Sequence, residues 1–139
     1  MNKTIYLAGA IDYVSSGFAT TWREKAAKQL RAAGYTVLDP TAGKNLDHPR
    51  VNDDLYTPAE IVEADKAMID RAGIILAEMS RKNIPYVGTS MEILYAWERG
   101  KRVIVWGGCQ SYWIRYHADF VFSCLDDALD YLEAWGLFD

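Results

Sequence analysis

Three positions carry acid or phenol groups where ordinary packing would not place them. Gly88-Thr89-Ser90-Met91-Glu92 falls between a strand-like segment and a helical one, so Glu92 is expected at a helix N-terminus. The partial positive charge and unpaired N–H groups there favour the ionised carboxylate, which can attack an electrophilic carbon. The same five residues also fit a capping box, with Thr89 bonding the N–H of Glu92 and Glu92 reaching back to that of Thr89. Asp65 is the second position: Ile61, Ala64, Met68, Ile69 and Ala72 recur at helical spacing, and Asp65 falls within their stripe. An acid there is costly unless it is bonded or faces a pocket. Tyr6 is the third, a phenol in an apolar run that needs a hydrogen-bond partner. Two carboxylates displaced toward one cleft point to acid, base or nucleophilic work.

The elements that must position these groups alternate along the chain. Thr4-Ile5-Tyr6-Leu7-Ala8-Gly9 reads as a buried first strand closed by glycine, followed by a loop from Asp12 to Gly17. From about Thr20, Trp22, Ala26, Leu30 and Ala33 mark a helix that stops at Gly34. Tyr35-Thr36-Val37-Leu38 is a second strand, and the polar stretch from Asp39 to Tyr56 has the length of a functional lid. Thr57-Pro58-Ala59-Glu60 starts a helix that runs to about Ala72, ahead of the strand Ile74-Ile75-Leu76-Ala77. The Glu92 helix closes at Gly100. Val103-Ile104-Val105-Trp106 and Phe120-Val121-Phe122 are further strands, and Leu125, Leu129 and Leu132 face inward from a last helix.

This alternation implies parallel strands joined by right-handed crossovers. The expected fold class is α/β, a three-layer α/β/α sandwich around a doubly wound parallel five-stranded sheet of Rossmann-like or flavodoxin-like kind, with strand order 2-1-3-4-5. Ligands sit beyond the carboxyl ends of such strands. That edge holds the loops after Gly9, Leu38 and Met79 and the start of the Glu92 helix, so Gly9, Asp39, Tyr86, Gly88 and Ser90 join the list as substrate-binding candidates. Ala8-Gly9-Ala10 lacks the full Gly-x-Gly-x-x-Gly spacing, and there is no Walker lysine motif. His48 and His117 have no context that favours catalysis. Asp12, Asp39, Asp47, Asp53 and Asp54 lie in expected loops, and Tyr112, Trp113 and Tyr116 read as core aromatics or a contact surface.

The bulk composition narrows the class of function. At 139 residues, half of them hydrophobic, the chain suits one domain over residues 1–139. A net charge of −4 argues against gripping a nucleic-acid polymer or an anionic membrane. The two cysteines, Cys109 and Cys124, form no Cys-x-x-Cys pair and read as buried free thiols, so no metal is expected. No apolar segment is long enough for a leader or a membrane span, and a cytoplasmic protein acting on a small molecule is the expectation.

Ile5-Tyr6-Leu7-Ala8-Gly9, Asp65 ahead of a buried strand, and Gly88-Thr89-Ser90-Met91-Glu92-Ile93-Leu94-Tyr95-Ala96 with Gly100-Lys101 together resemble the nucleoside 2-deoxyribosyltransferase family. The resemblance spans most of the chain. It implies that Glu92 is the nucleophile, Tyr6 the first-strand tyrosine beside it, and Asp65 an acid that contacts or protonates the base. The implied reaction exchanges 2-deoxyribose between nucleobases through a glycosyl-glutamate ester, with no cofactor, as in retaining glycosidases. The implied assembly is a homo-oligomer whose sites a neighbour completes, through the segment Gln110 to His117. The chain departs from the family at Tyr86, where an aspartate is usual, and at Leu94, where a glycine is. The loop Ala10 to Gly17 holds no arginine or lysine, which favours a nucleoside over a nucleotide. Hydrolysis of deoxynucleosides or their 5'-monophosphates is the alternative chemistry, and a non-catalytic nucleotide-sensing module is the alternative of another class.

Overall fold

The computed structural model describes residues 2–44, 46 and 57–136. Its sheet has five parallel strands in the order β2-β1-β3-β4-β5, formed by β1 (Thr4–Ala8), β2 (Thr36–Leu38), β3 (Ile74–Glu78), β4 (Arg102–Trp106) and β5 (Phe120–Phe122). The crossovers are α1 (Ser16–Ala32), α2 (Pro58–Arg71), α3 (Val87–Glu98) and the short α4 (Tyr112–Tyr116), and α5 (Leu125–Gly136) closes the chain. This is the doubly wound order expected from the sequence. Among the described residues, no helix is long and apolar enough to cross a membrane.

Period-two alternation sends the side chains of β1 to opposite faces. Ile5 and Leu7 pack with Trp22, Leu30 and Leu129, on the side covered by α1 and α5. Tyr6 and Ala8 pack with Ile69, Ile93 and Val105, on the side covered by α2 and α3. This alternation aims Tyr6 at the helix that carries Glu92.

Several local expectations are corrected. Helix α1 begins at Ser16 and not near Thr20, because Ser15 caps it by accepting from the Phe18 N–H at 3.0 Å. Strand β3 continues one residue further, to a fully buried Glu78. On α2, Ile69 and Ala72 are buried, but Ala64 is exposed and Ile61, Asp65 and Met68 are half-buried, so the apolar stripe is narrower than its spacing suggests. Tyr112, Trp113 and Tyr116 lie on the surface, each more than two-thirds exposed. The cysteines are free, yet Cys124 is exposed and Cys109 half-buried, so neither is the buried thiol expected. Most of the lid-length stretch after Asp39, including His48, Asp47, Asp53 and Asp54, lies outside the described residues.

The start of α3 carries the main correction. The helix begins at Val87 with Tyr86 at its N-cap, and no side-chain cap bond closes it. Thr89 and Ser90 therefore sit inside the helix, and the expected Thr89–Glu92 capping box does not form. A tertiary anchor does the work of a local cap: the Tyr86 hydroxyl is tied to Glu78 at the end of β3. Glu92 consequently lies a full turn further in, on the sixth helical residue, where the field of the helix end has largely decayed.

Candidate active site

Tyr6 and Glu92 meet on the α2–α3 face of the sheet, where the Tyr6 hydroxyl donates to Glu92 Oε2 at 2.5 Å. Burial raises the Glu92 carboxyl from its ordinary range to about 7; the bond from Tyr6 and the charge of Arg23 oppose that rise, and the charge of Asp65 adds to it. The expectation that a helix terminus keeps Glu92 ionised is thus replaced by a balance in which desolvation is the largest effect. Tyr6 is itself held far above the usual phenol range, by burial first and then by the charges of Glu92 and Asp65, so it stays a proton donor.

Asp65 reaches toward this pair from α2. Its carboxyl is raised by desolvation and lowered again by the charges of Lys44 and Arg23. Asp65 Oδ1 is buried and has no hydrogen-bond partner among the described residues. Buried acid oxygens usually find one. A group left unsatisfied in this way beside a cleft is a candidate to meet a ligand.

The cleft occupies about 400 Å³ at the carboxyl edge of the sheet, within the range of small-molecule sites. Asp65, Gly9, Tyr86 and Gly88 are in its wall, whereas Tyr6 and Glu92 are not among its lining residues. Asp12, Tyr13 and Lys44 also line it. Tyr13 has a positive φ of 66°, a strained backbone of the kind found around ligand sites. Two candidates fall elsewhere. Asp39 caps a turn by accepting from the Thr41 N–H and hydroxyl, lies 3.9 Å from Arg23, and borders a separate groove. Ser90 is half-buried, and its N–H is used by the Tyr86 carbonyl.

Three contributors went unread in the sequence. Arg23 is fully buried and donates to the carbonyls of Leu7, Ala19 and Gly9, which fixes a cation beneath the carboxyl end of β1. Its spacing carried the signal, since Arg23 falls on the same stripe of α1 as Ala19, Ala26, Ala27 and Leu30. Lys44, from the loop after β2, brings a cation into the cleft that the arginine- and lysine-free Ala10–Gly17 loop did not suggest. Glu78 accepts from the Ala10 N–H at 3.1 Å, from the Ser80 N–H and hydroxyl at 2.7 Å each, and from the Tyr86 hydroxyl at 2.5 Å. The signal for Glu78 was an acid closing an apolar run, which reads equally as a strand end.

Sheet topology and site together define a class of protein: a doubly wound α/β domain with a phenol-bonded carboxylate behind a cleft at its carboxyl edge and a second acid in the cleft wall. The family model described as nucleoside 2-deoxyribosyltransferase like matches residues 2–108, and the chain belongs to that family. The chain is 22% identical to a 2-deoxyribosyltransferase from Bacillus psychrosaccharolyticus, with a TM-score of 0.71 over 92% of this chain and 91% of that one. A 2-desoxiribosyltransferase from Leishmania mexicana is 19% identical at a TM-score of 0.65, over 95% and 97% of the two chains. The CMP N-glycosidase BcmB from Clostridium botulinum is 17% identical at a TM-score of 0.62, over 99% and 100%. By sequence comparison, no curated protein matches the chain.

Proposed function

We propose that the protein transfers 2-deoxyribose between nucleobases, with Glu92 as nucleophile. The observation that carries this reading is the juxtaposition of the bonded Tyr6–Glu92 pair with the Asp65 oxygen that has no partner among the described residues. The Tyr6 hydroxyl engages Glu92 Oε2 and leaves Oε1 to attack the anomeric carbon of a 2'-deoxynucleoside. As the Oε1–C1' bond forms, the N-glycosidic bond breaks, and the base leaves with its bonding electrons and takes a proton from Asp65. The product is a deoxyribosyl ester of Glu92. A second base then attacks C1' through its ring nitrogen, loses its proton to Asp65, and releases the Glu92 carboxylate. Both steps pass through an oxocarbenium-like state, which is easier to reach without an electron-withdrawing 2'-hydroxyl. Burial raises both acids, so that Asp65 holds its proton further up the pH scale than an exposed aspartate and Glu92, once ionised, is a carboxylate of raised basicity.

The working form in this reading is a homo-oligomer. The exposed apolar side chains Val87, Met91 and Leu94 follow one another at helical spacing on α3, and the exposed Trp97, Trp113 and Tyr116 lie nearby. Such a surface beside the nucleophile's helix suits a second copy.

Incubation with deoxyinosine and adenine is expected to yield deoxyadenosine and hypoxanthine, and intact mass is expected to show one deoxyribose added at Glu92. Exchange that persists in Glu92→Ala overturns the nucleophile assignment. Lys44 in the cleft supports a second reading, hydrolysis of a deoxynucleoside 5'-monophosphate whose phosphate it would neutralise. Release of deoxyribose 5-phosphate in the absence of an acceptor base, faster than any exchange, would establish that reading.

A further inference from the structure

We infer that Glu78 is a positioning residue that locks the Tyr86 side chain as a flat wall for the nucleobase, so that this subsite reads the face of the base and not its hydrogen-bonding edge. The inference deepens the deoxyribosyl reading and takes the identity of its ligand from it.

Glu78 ends the central strand β3 and is fully buried. A buried carboxylate is retained only where donors surround it. Its four bonds come from two separate loops: Ala10 belongs to the loop after β1, and Ser80 and Tyr86 to the loop between β3 and α3. Those loops supply facing parts of the cleft wall, so one side chain sets their separation. The packing is fitted around it. A Cβ placed on Gly9 would stand 3.0 Å from Glu78 Cβ and 3.0 Å from Trp22 Cζ2, so only glycine leaves the acid its room. A cross-brace links the same loop to α1, with the Arg81 guanidinium 4.2 Å above the Phe18 ring.

The consequence falls on Tyr86. Its one hydroxyl proton is committed to Glu78, and its oxygen also accepts from the Arg81 N–H at 2.9 Å. The phenol therefore has no proton to offer a base edge. What remains to the cleft is the ring, half-buried and backed by the core cluster on the α2–α3 face. Ile61, Ile84, Pro85 and Val87 continue the apolar lining around it. A fixed aromatic face among apolar neighbours binds bases by stacking, which every base can offer and which tolerates changes at the edge.

The test is equilibrium binding of free adenine and free cytosine, measured by calorimetry without turnover. Tyr86→Phe keeps the ring but removes its tie to Glu78, and is expected to weaken both bases in parallel by about threefold, with their ratio unchanged. Tyr86→Leu is expected to weaken both by about tenfold or more, the scale of a lost stacking partner. Glu78→Gln is expected to weaken both bases in parallel, and Tyr86→Phe added to it should change nothing further, because the hydroxyl has by then lost the contact that matters. A Tyr86→Phe protein that loses one base tenfold and spares the other overturns the inference, as does a Tyr86→Leu protein that binds both unchanged. Strict additivity of Glu78→Gln and Tyr86→Phe overturns the lock, and if Glu78→Gln fails to fold, the two Tyr86 variants decide. Base binding that follows these expectations in a protein unable to form deoxyadenosine would sink the transferase reading alone.

Discussion

Replacing Glu92 with glutamine tests the burial argument through stability as well as activity. Burial lifts the Glu92 carboxyl from 4.5 to about 7. Between those values the folded chain holds a proton that the unfolded chain has released, so folding stability falls as pH rises through this window and levels off above about 7. At 1.36 kcal/mol per pKa unit the loss amounts to about 3 kcal/mol, a large share of the roughly 5–15 kcal/mol that holds a domain of this kind together. Glutamine is nearly isosteric, still offers an oxygen to the Tyr6 hydroxyl, and has nothing to ionise. Urea unfolding at pH 4.5 should therefore find E92Q and the parent close in stability, whereas at pH 8 E92Q should be more stable by about 2–3 kcal/mol. That difference moves the midpoint by about 1 M or more for an ordinary urea slope. The gain should appear gradually across the window, because Asp65 and Glu92 repel one another and titrate as a pair. A stability difference that stays constant from pH 4.5 to 8, or an E92Q protein weaker than the parent at pH 8, would refute the claim that desolvation dominates this carboxyl.

The same balance governs the pH dependence of turnover. The acid limb of kcat/KM should fall near pH 7, should move down in Asp65→Asn, which removes a repelling charge, and should move up in Tyr6→Phe, which removes the bond that favours the carboxylate. Tyr6→Phe should also slow exchange by about 10- to 100-fold, the scale of one hydrogen bond to a charged group, and an unshifted limb in both variants would count against the assigned contacts. Gly9→Ala should cost about 1–3 kcal/mol in thermal or urea unfolding, since the new methyl group would press on Glu78 and Trp22. Light scattering should find an oligomer that Met91→Lys with Trp113→Lys reduces in mass, and a parent that is monomeric at micromolar concentration refutes the apolar face as an interface.

Strand order and layer assignment were legible because the apolar runs of β1, β3 and β4 are short, continuous and separated by helical periods, which leaves few ways to wind the sheet. Tyr6 and Asp65 were legible as polar groups out of pattern. The start of α3 was not. Its sequence carries a locally valid cap at Thr89, but the chain enters the helix three residues earlier because Tyr86 is held from below by Glu78, eight residues away. A contact that links two loops leaves no periodic trace. Lys44 escaped notice for a related reason: a basic residue in a loop is ordinary, and only the fold brings it beside Asp65. Arg23 differs, because it lies on the apolar stripe of α1 with Ala19, Ala26 and Leu30 and its spacing could have flagged it.

Glu78 and Glu92 show how one side-chain type is given two jobs within a single edge of a sheet. Glu78 accepts four hydrogen bonds from groups of its own chain, and its charge is spread over donors that do not move. Among the described residues Glu92 accepts from Tyr6 at Oε2, and it has a repelling neighbour in Asp65 and a raised pKa. A saturated carboxylate is a poor nucleophile because attack would require giving up bonds already made. An undersaturated one begins the reaction closer in energy to the ester it would form. The buried Glu78 and the half-buried Glu92 have environments that diverge in this way, which fits the satisfied acid to architecture and supports the proposed chemistry for the other. The proposal that Glu92 is the nucleophile thus rests on what its neighbours withhold as much as on where α3 places it.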